Sequence, residues 1–365
     1  MSLTRITVGG LRPQEVIVGG GAVRELPSLV GPATATVALI HPASLAGIAQ
    51  PVVDALAQAG HQVHSERIPD GEEAKDIAVA ARLWSWLAQR RVGRDDTIVG
   101  LGGGAATDLA GFTAATWLRG VRLVLVPTTL LAVVDAAVGG KTAVNIPEGK
   151  NLVGAFHPAA GVVADLDLLR SLPPQEYASG LAEVIKAGFI ADPEILKLIE
   201  AEPARAARPG GPAERELIER AVRVKAAVVA ADPVEAGQRE MLNYGHTLGH
   251  AIEAAEGYRI RHGAAIAIGM VYAAAVARLA GRLDAATAQR HRAIVDAAGL
   301  PVRYRADAWP ALRERMTVDK KARGARLRLV VLDGLARPGI LDDPPEDLLE
   351  QAYAEVSERE GAVSG

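Results

Sequence analysis

Two histidines in the stretch LNYGHTLGHAIEA have the spacing of metal ligands. His246 and His250 are four residues apart and so share one face of a helix, although the glutamate of the H-E-x-x-H motif is missing. His262 begins another helical stretch, and Glu183 lies in an otherwise apolar one, with Lys186 three residues later. A carboxylate on an apolar face needs a metal or an ionic partner. These residues predict a metal site of histidines and one carboxylate; ordinary core histidines are the alternative.

A run of glycines follows an apolar strand pattern in VGLGGGAATDLAGF. Gly102, Gly103 and Gly104 let the backbone approach a phosphate, and the helix that follows offers free N–H groups at its N-terminus. The third glycine of G-x-G-x-x-G is missing, so a tight strand–helix turn is the alternative to a nucleotide site. Asp108, in the first turns of this helix, is interpreted as a ribose or nicotinamide contact or as a carboxylate favoured by the helix dipole.

The stretch PTTLLAVVDAAVGGKTAVNIPEGKN concentrates polar groups between apolar flanks. Residues 140–142 invite comparison with a phosphate-binding loop, but that motif needs a glycine where this chain has Asp135. The other polar side chains of this stretch that could bind a ligand are those of Lys150, Asn145 and Asn151. A solvated surface loop is the alternative, but the apolar neighbours of Asp135 predict that its carboxylate is buried and paired.

Isolated cations occur beside these motifs, namely Arg119, Lys225, Arg239 and the pair Lys320–Lys321. Charged residues usually form solvated faces, but several cations near a metal and a nucleotide favour an anionic, phosphorylated substrate. The remaining histidines are interpreted as structural or exposed: His41, His61, His64, His157 and His291.

Composition excludes several classes of protein. With no cysteine among 365 residues there is no disulfide framework, thiolate metal site or thiol nucleophile. The 40 basic and 43 acidic residues give no basic field for nucleic acid. The N-terminus lacks the apolar run of a signal peptide, and the longest apolar run, residues 263–277, is shorter than the roughly 18–20 residues of a membrane span. We therefore expect a soluble cytoplasmic protein without a nucleic-acid or membrane partner.

The elements that must position these residues change in type along the chain. A hairpin pattern covers residues 3–18, and five more strand patterns, separated by helices, lie at 36–41, 61–68, 97–104, 121–127 and 161–166. This alternation indicates a parallel sheet covered by helices. Beyond about Pro173 helix follows helix, except for a strand-like run at 326–333. The sequence predicts an α/β domain over residues 1–170 and a helical domain over 171–365.

Six motifs in order resemble those of the 3-dehydroquinate synthase family, in the sugar phosphate cyclase superfamily. They are DGEEAK, GGGAATDLAGFTAATWLRG, PTTLLAVVDAAVGGKTAVNIPEGKNLVGAFHP, LPPQEYASGLAEVIKAG, LNYGHTLGHAIEA and DKKARG. The resemblance implies a Rossmann-like α/β domain that binds NAD, and an all-helical C-terminal domain that binds substrate and zinc or cobalt. It further implies a homodimer that acts on a small phosphorylated sugar acid, 3-deoxy-D-arabino-heptulosonate 7-phosphate.

The resemblance also implies roles for individual residues. The metal ligands would be Glu183, His246 and His262, while His250 would contact the substrate and transfer protons, which corrects the pairing made from spacing alone. The NAD contacts would be Asp70, Gly71, Glu72, Glu73, Ala74, Lys75, Gly104, Ala105, Ala106, Thr107, Asp108, Thr128, Thr129, Lys141, Lys150, Leu168, Leu169, Arg170 and Ser171. The other substrate contacts would be Asp135, Lys141, Asn151, Lys186, Lys225, Arg239, Asn243, Lys320 and Arg119, the last reaching phosphate across the dimer.

The implied reaction is that of a cyclising carbon–oxygen lyase without net redox change. A ring hydroxyl is oxidised by NAD, phosphate is eliminated, the hydride is returned, and the opened ring closes to 3-dehydroquinate by aldol addition. The metal would act as a Lewis acid, and His250 mostly as a proton relay. A site of one carboxylate and two imidazoles leaves positions open for substrate oxygens, as in catalytic metal sites.

Two departures from the family pattern leave alternatives open. His262 is followed by Gly-Ala where Gly-Glu is common, and IHPASL (40–45) replaces polar residues that often meet the adenosine ribose. Related cyclases, among them an amino-substrate variant, are alternatives, but Arg239 favours a carboxylated substrate. A metal-dependent polyol dehydrogenase is a further alternative, but it would not need the four cations that would bind phosphate, Arg119, Lys141, Lys186 and Lys320. A non-catalytic binding protein is another, but such a protein could lose a metal ligand, whereas all three are present here.

Overall fold

The computed structural model describes residues 3–32, 34–321 and 327–358, and for residues 317–321 the backbone alone. The side chain of Lys320, a predicted phosphate contact, therefore lies outside the described residues. The chain divides into two compact units. The first comprises the described residues up to Leu172 together with Lys225–Val234, and the second comprises Pro173–Val224 and the described residues from Glu235 onward.

The first unit alternates strands and helices, as the sequence predicts. Its strands are β1 (Thr4–Val8), β2 (Gln14–Gly19), β3 (Thr36–Pro42), β4 (Gln62–Ile68), β5 (Thr97–Gly102), β6 (Arg122–Pro127), β7 (Lys141–Ile146), β8 (Gly149–Phe156) and β9 (Gly161–Asp165). Its helices are α1 (Leu26–Leu29), α2 (Ala46–Gln58), α3 (Ile77–Gln89) and α4 (Gly104–Thr116).

Seven of these strands form one sheet in the order β1-β2-β9-β6-β5-β3-β4. The β1–β2 pair is the predicted antiparallel hairpin, and the remaining pairs are parallel. The central strands are buried on both faces because their side chains are almost all apolar, as Val37, Leu39, Val99, Leu101 and Val124 illustrate. Strands β4 and β5 follow β3 in the chain but lie on opposite sides of it. Such a reversal creates a crevice at the carboxyl ends of the strands, where ligands bind in folds of this kind.

Strands β7 and β8 form a hairpin that the strand patterns do not include. They pair antiparallel outside the large sheet, with Lys141 opposite Phe156. β8 is largely exposed, and Leu152 and Phe156 are 63% and 42% exposed. A strand with so little buried surface lacks a clear inside–outside alternation, so the sequence pattern does not predict it.

The second unit is mostly helical, and its fold class is as predicted. Its helices are α5 (Pro174–Ile190), α6 (Pro193–Ala201), α7 (Pro203–Ala206), α8 (Glu214–Ala231, ending in the first unit), α9 (His246–Ala255), α10 (His262–Leu279), α11 (Ala285–Ala297), α12 (Trp309–Lys321) and α13 (Glu346–Glu355). Two two-stranded sheets accompany them, β10 (Tyr304–Arg305) with β13 (Ser357–Glu358) and β11 (Arg328–Leu332) with β12 (Pro338–Asp342). β11 is the strand predicted near 326–333.

Helix α10 is long and apolar enough to cross a membrane, the one such helix in the described ranges. The helix has 18 residues, more than the apolar run 263–277, so the prediction that this segment is too short to span a membrane is wrong. However, 78% of its residues are buried, and it packs against α5, α9, α11 and α13. These contacts identify α10 as a core helix of the second unit.

Candidate active site

Three helices of the second unit bring one carboxylate and two imidazoles together. Glu183 lies on α5, while His246 and His262 are the first residues of α9 and α10. The Nε2 atoms of His262 and His246 lie 3.5 and 3.8 Å from Glu183 Oε1. Because ligand bonds to zinc are about 2 Å long, one ion could reach all three residues. The histidines around Glu183 are therefore not the pair that the four-residue spacing singles out.

These three donors fit a divalent metal. Glu183 Oε1 is buried and has no hydrogen-bond partner in the part of the chain that the structure describes, a costly state unless a cation lies there. Nδ1 of His246 donates to the Tyr244 carbonyl at 3.1 Å, and Nδ1 of His262 lies 3.3 Å from each oxygen of Glu253. Both rings thus keep Nε2 for the side of Glu183, as metal-binding histidines do.

Charge in this cluster favours an ionised carboxylate. Burial by itself would raise the pKa of Glu183, but its ion pair with Lys186 and the nearby histidines hold that pKa well below its usual value. For His246, burial and the neighbouring ammonium lower the pKa well below its usual value. For His262, burial by itself would lower the pKa, but the negative charges of Glu183 and Glu253 together outweigh it and raise the pKa to about 10. A metal ion would have to displace the proton of His262, so we expect proton release on metal binding.

Glycines set how closely the three helices approach one another. A Cβ on Gly263 would lie 2.0 Å from the carbonyl oxygen of Ser179, whose Oγ accepts a hydrogen bond from Gly263 N–H at 2.9 Å. Ser179 precedes Glu183 by about one turn of α5, so this contact fixes the start of α10 beside the carboxylate. A Cβ on Gly269 would lie 1.9 Å from the carbonyl of Gly245, the left-handed residue before α9. Larger side chains at these positions would push the ligand-bearing helices apart.

His250 lies beside this cluster. Its ring centroid is 5.1 Å from that of His246 and 6.3 Å from that of His262, and its side chain is exposed. A second group that could hold a metal consists of His250, Glu253 and His262. Because His250 is exposed and next to the ligands, it could exchange protons with a bound molecule; this role stays a prediction.

The other predicted substrate residues of the second unit lie near the start of α9. Lys186 donates to the Leu242 carbonyl at 2.6 Å. Arg239, in the 3-10 turn Gln238–Asn243, is only 1% exposed. Asn243 makes a long hydrogen bond of 3.4 Å to Glu235.

In the first unit, the predicted NAD residues other than Lys141 and Lys150 follow the carboxyl ends of parallel strands. Residues 70–75 come after β4, residues 104–108 after β5, residues 128–129 after β6 and residues 168–171 after β9. Because these strands are parallel neighbours or near neighbours in one sheet, the segments lie along a single edge.

The glycine run makes the turn from β5 into α4. Gly102 has a φ of +148°, and a Cβ there would lie 2.7 Å from Ala106 Cβ and 3.0 Å from Pro42. Gly103 precedes the helix without a side-chain cap, so first-turn N–H groups are available to an anion. Thr128 lies beside this turn, because its N–H donates to the Gly102 carbonyl at 2.9 Å.

A polar network connects several predicted residues of this edge. Lys75 is buried and bonds to Asp108 at 2.6 Å and to Asn151. Burial raises the pKa of Asp108, while Lys75 opposes the rise. Asn145 donates to Glu72 at 2.7 Å and accepts from the N–H of Asn151 at 3.0 Å, which stabilises Asn151 at its φ of +58°. Lys150 lies 3.4 Å from the same carboxylate of Glu72.

Asp135 has the ionic partner that its apolar surroundings predict, but it is not fully buried. Its carboxylate forms an ion pair with Lys225, whose Nζ also donates to the Asp135 carbonyl at 2.5 Å. The Asp135 side chain is 36% exposed, and it lies in a short π-helical segment, Ala132–Ala136, within the apolar run. Lys141 begins β7 and is exposed, and Arg119 is exposed in a turn where it has a φ of +66°.

The sequence reasoning missed one residue of these sites, Glu253, and noticed another, Asn145, without its role. The Glu253 carboxylate lies 3.3 Å from Nδ1 of His262, and its position three residues after His250 on the same helical face could have indicated it. Asn145 was noticed as part of a polar cluster, but its bonds to Glu72 and Asn151 join parts of the chain that no local pattern connects.

Comparison with known proteins gives matches along nearly the whole chain. A family model described as 3-dehydroquinate synthase N-terminal matches residues 65–179, and one described as 3-dehydroquinate synthase C-terminal matches residues 180–322. A 3-dehydroquinate synthase of Thermobifida fusca is 64% identical over 98% of this chain and 97% of its own length. One of Streptomyces avermitilis is 57% identical over 98% of this chain and 99% of its own length.

A solved structure is also similar in three dimensions. It is a 2-deoxy-scyllo-inosose synthase complexed with carbaglucose-6-phosphate, NAD+ and Co2+. It is 26% identical to this chain, with a TM-score of 0.86 that covers 97% of this chain and 100% of the other.

Proposed function

Because the chain belongs to the 3-dehydroquinate synthase family, we propose that it converts 3-deoxy-D-arabino-heptulosonate 7-phosphate to 3-dehydroquinate and phosphate. This reaction is the second step of the shikimate pathway to chorismate and the aromatic amino acids. The structural observation that carries the proposal is the cluster of Glu183, His246 and His262, in which a buried carboxylate oxygen faces two oriented imidazoles. Because the chain has no cysteine, any metal must be bound by histidines and carboxylates, as in this cluster.

The proposed cofactors are NAD and one divalent metal, zinc or cobalt. Glu183, His246 and His262 would hold the metal, and the strand-edge segments of the first unit would hold NAD. When bound, NAD takes up and returns a hydride, and the metal polarises a substrate oxygen. The similar synthase structure with NAD+ and Co2+ supports this choice.

The proposed substrate residues of the second unit have chemically distinct tasks. The buried guanidinium of Arg239 suits a carboxylate, which it can bind with two parallel hydrogen bonds. The ammonium of Lys186 suits a phosphate dianion because of its positive charge. Its ion pair with Glu183 and its hydrogen bond to the Leu242 carbonyl fix its position. His250 is exposed and would accept or deliver a proton, with Asn243 as a hydroxyl contact.

In the first unit the proposal separates cofactor and substrate contacts. The cofactor contacts are the residues at 70–75, 104–108, 128–129, 141, 150 and 168–171. Asp135, Lys141, Asn151 and Lys225 are proposed as substrate contacts. The Asp135–Lys225 ion pair would keep both groups oriented before the substrate arrives.

We further propose a cytoplasmic homodimer in which Arg119 reaches phosphate across the dimer. Arg119 is exposed, so its side chain is available for a contact outside its own chain. Sedimentation of the wild type and of Arg119→Ala, with phosphate-release kinetics of each, tests this. We expect a dimer in both cases and slow phosphate release in the variant.

The test of the proposed function uses the heptulosonate phosphate, NAD and zinc, with and without chelator. We expect phosphate release that depends on the metal, together with 3-dehydroquinate and no accumulation of NADH. NADH equal to the substrate consumed would instead indicate a dehydrogenase. Binding of the substrate without turnover at any metal concentration would indicate a non-catalytic protein.

A further inference from the structure

We propose that Glu253 is a positioning residue of the metal site, which holds the ring of His262 so that Nε2 faces Glu183. The inference rests on the proposed metal-dependent function. It assigns a role to a residue that would neither bind the metal nor touch the substrate. Glu253 would act on the metal only through His262.

The geometry of the Glu253 carboxylate supports this role. Its Oε1 and Oε2 each lie 3.3 Å from Nδ1 of His262. A proton held on Nδ1 leaves Nε2 as the lone pair, and Nε2 is the atom on the side of Glu183, 3.5 Å from its Oε1. An acceptor behind a metal-bound imidazole fixes the tautomer and orientation of the ring and makes it a more basic ligand.

The position of Glu253 in the fold makes the contact rigid. Glu253 lies on α9, about two turns after the ligand His246, while His262 begins α10. The side chain of Glu253 is 15% exposed. The two helices approach closely where Gly249 faces Ala265, because a Cβ on Gly249 would lie 3.2 Å from the carbonyl of that residue. Helix α9 would thus supply one ligand and orient the other.

The two ligand histidines differ in what stands behind them. Behind His246 is the neutral carbonyl of Tyr244, whereas behind His262 is the carboxylate of Glu253. A charged acceptor makes the stronger hydrogen bond, and a side chain, unlike a carbonyl, can be removed by substitution. Glu253 is therefore the orienting group whose effect can be measured.

A competing interpretation makes Glu253 a ligand itself, in a second site with His250 and His262. Two observations favour the orienting role. The buried oxygen without a hydrogen-bond partner in the described ranges belongs to Glu183, which is not part of that second group. In addition, the distances from Glu253 to Nδ1 are already compatible with a direct contact between the two side chains.

The experiment measures metal binding by purified variants. The Kd for Zn2+ is determined by competition with a chromogenic chelator for the wild type, Glu253→Gln and Glu253→Ala. The visible spectrum and metal stoichiometry are recorded after Co2+ loading. The control is Glu219→Gln on α8, since Glu219 is 14% exposed and is paired with Arg215 and Arg223. Thermal unfolding in excess chelator checks that each variant is folded.

We expect Glu253→Ala to weaken Zn2+ binding by about 10- to 100-fold at one metal per chain, and to shift the Co2+ spectrum. Glu253→Gln should lie between Glu253→Ala and the wild type, because its amide oxygen can still accept from Nδ1. The control should match the wild type. If Glu253→Ala does not fold, the comparison of Glu253→Gln with the control decides.

Three outcomes would overturn the inference. A wild-type Kd and Co2+ spectrum in the Glu253 variants would show that His262 needs no orienting carboxylate. A fall from two metals to one would make Glu253 a ligand of a second ion. Equal losses in Glu253→Gln and Glu219→Gln would indicate a general charge effect. If the wild type itself binds no metal, the proposed function fails, which is a different result from any of these three.

Discussion

The two units build their candidate sites from different kinds of backbone. In the first unit, the cofactor residues lie in short segments after parallel strands, and they are joined by side-chain hydrogen bonds such as those of Asn145. In the second unit, the metal residues lie on three helices that meet at Gly263 and Gly269. At the strand edge, Gly102 permits a close approach to the side chains of Ala106 and Pro42, whereas at Gly263 and Gly269 the closest atoms are backbone oxygens, which cannot move aside as a side chain can. We therefore expect substitutions to have larger effects in the second unit.

The largest effect should follow from removing a metal ligand. We expect His262→Ala to weaken Zn2+ binding by more than about 100-fold, because loss of a ligand should exceed the effect of losing an orienting group. Chelator competition measures the Kd, with His64→Ala on β4 as a control outside both candidate metal groups. Zinc retained by His262→Ala at wild-type affinity would show that the ligand assignment is wrong.

Glycine substitutions test the difference in packing between the units. Gly263→Ala places Cβ 2.0 Å from a backbone oxygen and should lower the free energy of unfolding by about 3 kcal/mol. Gly111→Ala on α4 meets the Thr142 side chain at 2.3 Å and should cost about 1–2 kcal/mol, because a side chain can move.

Urea denaturation of the metal-free protein measures these free energies of unfolding. Gly47→Ala is the control, since a Cβ there meets nothing within 4 Å and Gly47 lies in helix α2. A cost for Gly111→Ala equal to that for Gly263→Ala would remove the proposed distinction between the two units.

A buried histidine gives the second unit a pH dependence. His291 is stacked on Phe189, bonds through Nε2 to the Tyr244 hydroxyl at 2.9 Å and through Nδ1 to the Thr287 carbonyl at 2.8 Å. Burial lowers the pKa of His291 to about 4. As the pH falls from about 6.5 to 4, the unfolded chain binds a proton that the folded chain does not, so stability present above pH 6.5 is lost by on the order of 3 kcal/mol.

Unfolding in urea at several pH values, with chelator present, measures this dependence. The variant His291→Gln should be less stable at neutral pH but should lose less of its stability between pH 6.5 and 4 than the wild type. Parallel pH curves for the two proteins would show that His291 is not the titrating group.

The smallest effect should come from the strand edge. Asn145→Ala removes hydrogen bonds to Glu72 and to the backbone of Asn151, each worth about 1 kcal/mol, so NAD binding should weaken by about 30-fold or less. NAD titration followed by protein fluorescence measures this Kd. The surface variant Gln50→Ala, which loses a hydrogen bond to Asp54, is the matched control. A loss far above that range would make the edge as fragile as the helical site.

The difference between the units also explains what the sequence could predict. The parallel strands were predictable because buried strands such as β3 and β5 are continuous apolar runs, and the sites at their ends follow from the topology. The β7–β8 hairpin was not, because its outer face is exposed. In the second unit the spacing of His246 and His250 predicted a metal site, but spacing cannot show which helix supplies the next ligand. The residue types also singled out His262 and Glu183, and the resemblance to a family excluded His250 from the ligands, while the acceptor behind His262 became visible only in three dimensions.

The proposed function requires that NAD is used and regenerated during a metal-dependent elimination of phosphate. The most direct measurement supplies zinc-loaded protein with one equivalent of NAD per chain and a large excess of the heptulosonate phosphate, and counts phosphate released per NAD. We predict many phosphates per NAD, with no lasting NADH absorbance and no release in chelator. Release that stops at one phosphate per NAD, with NADH left in solution, would contradict the claim.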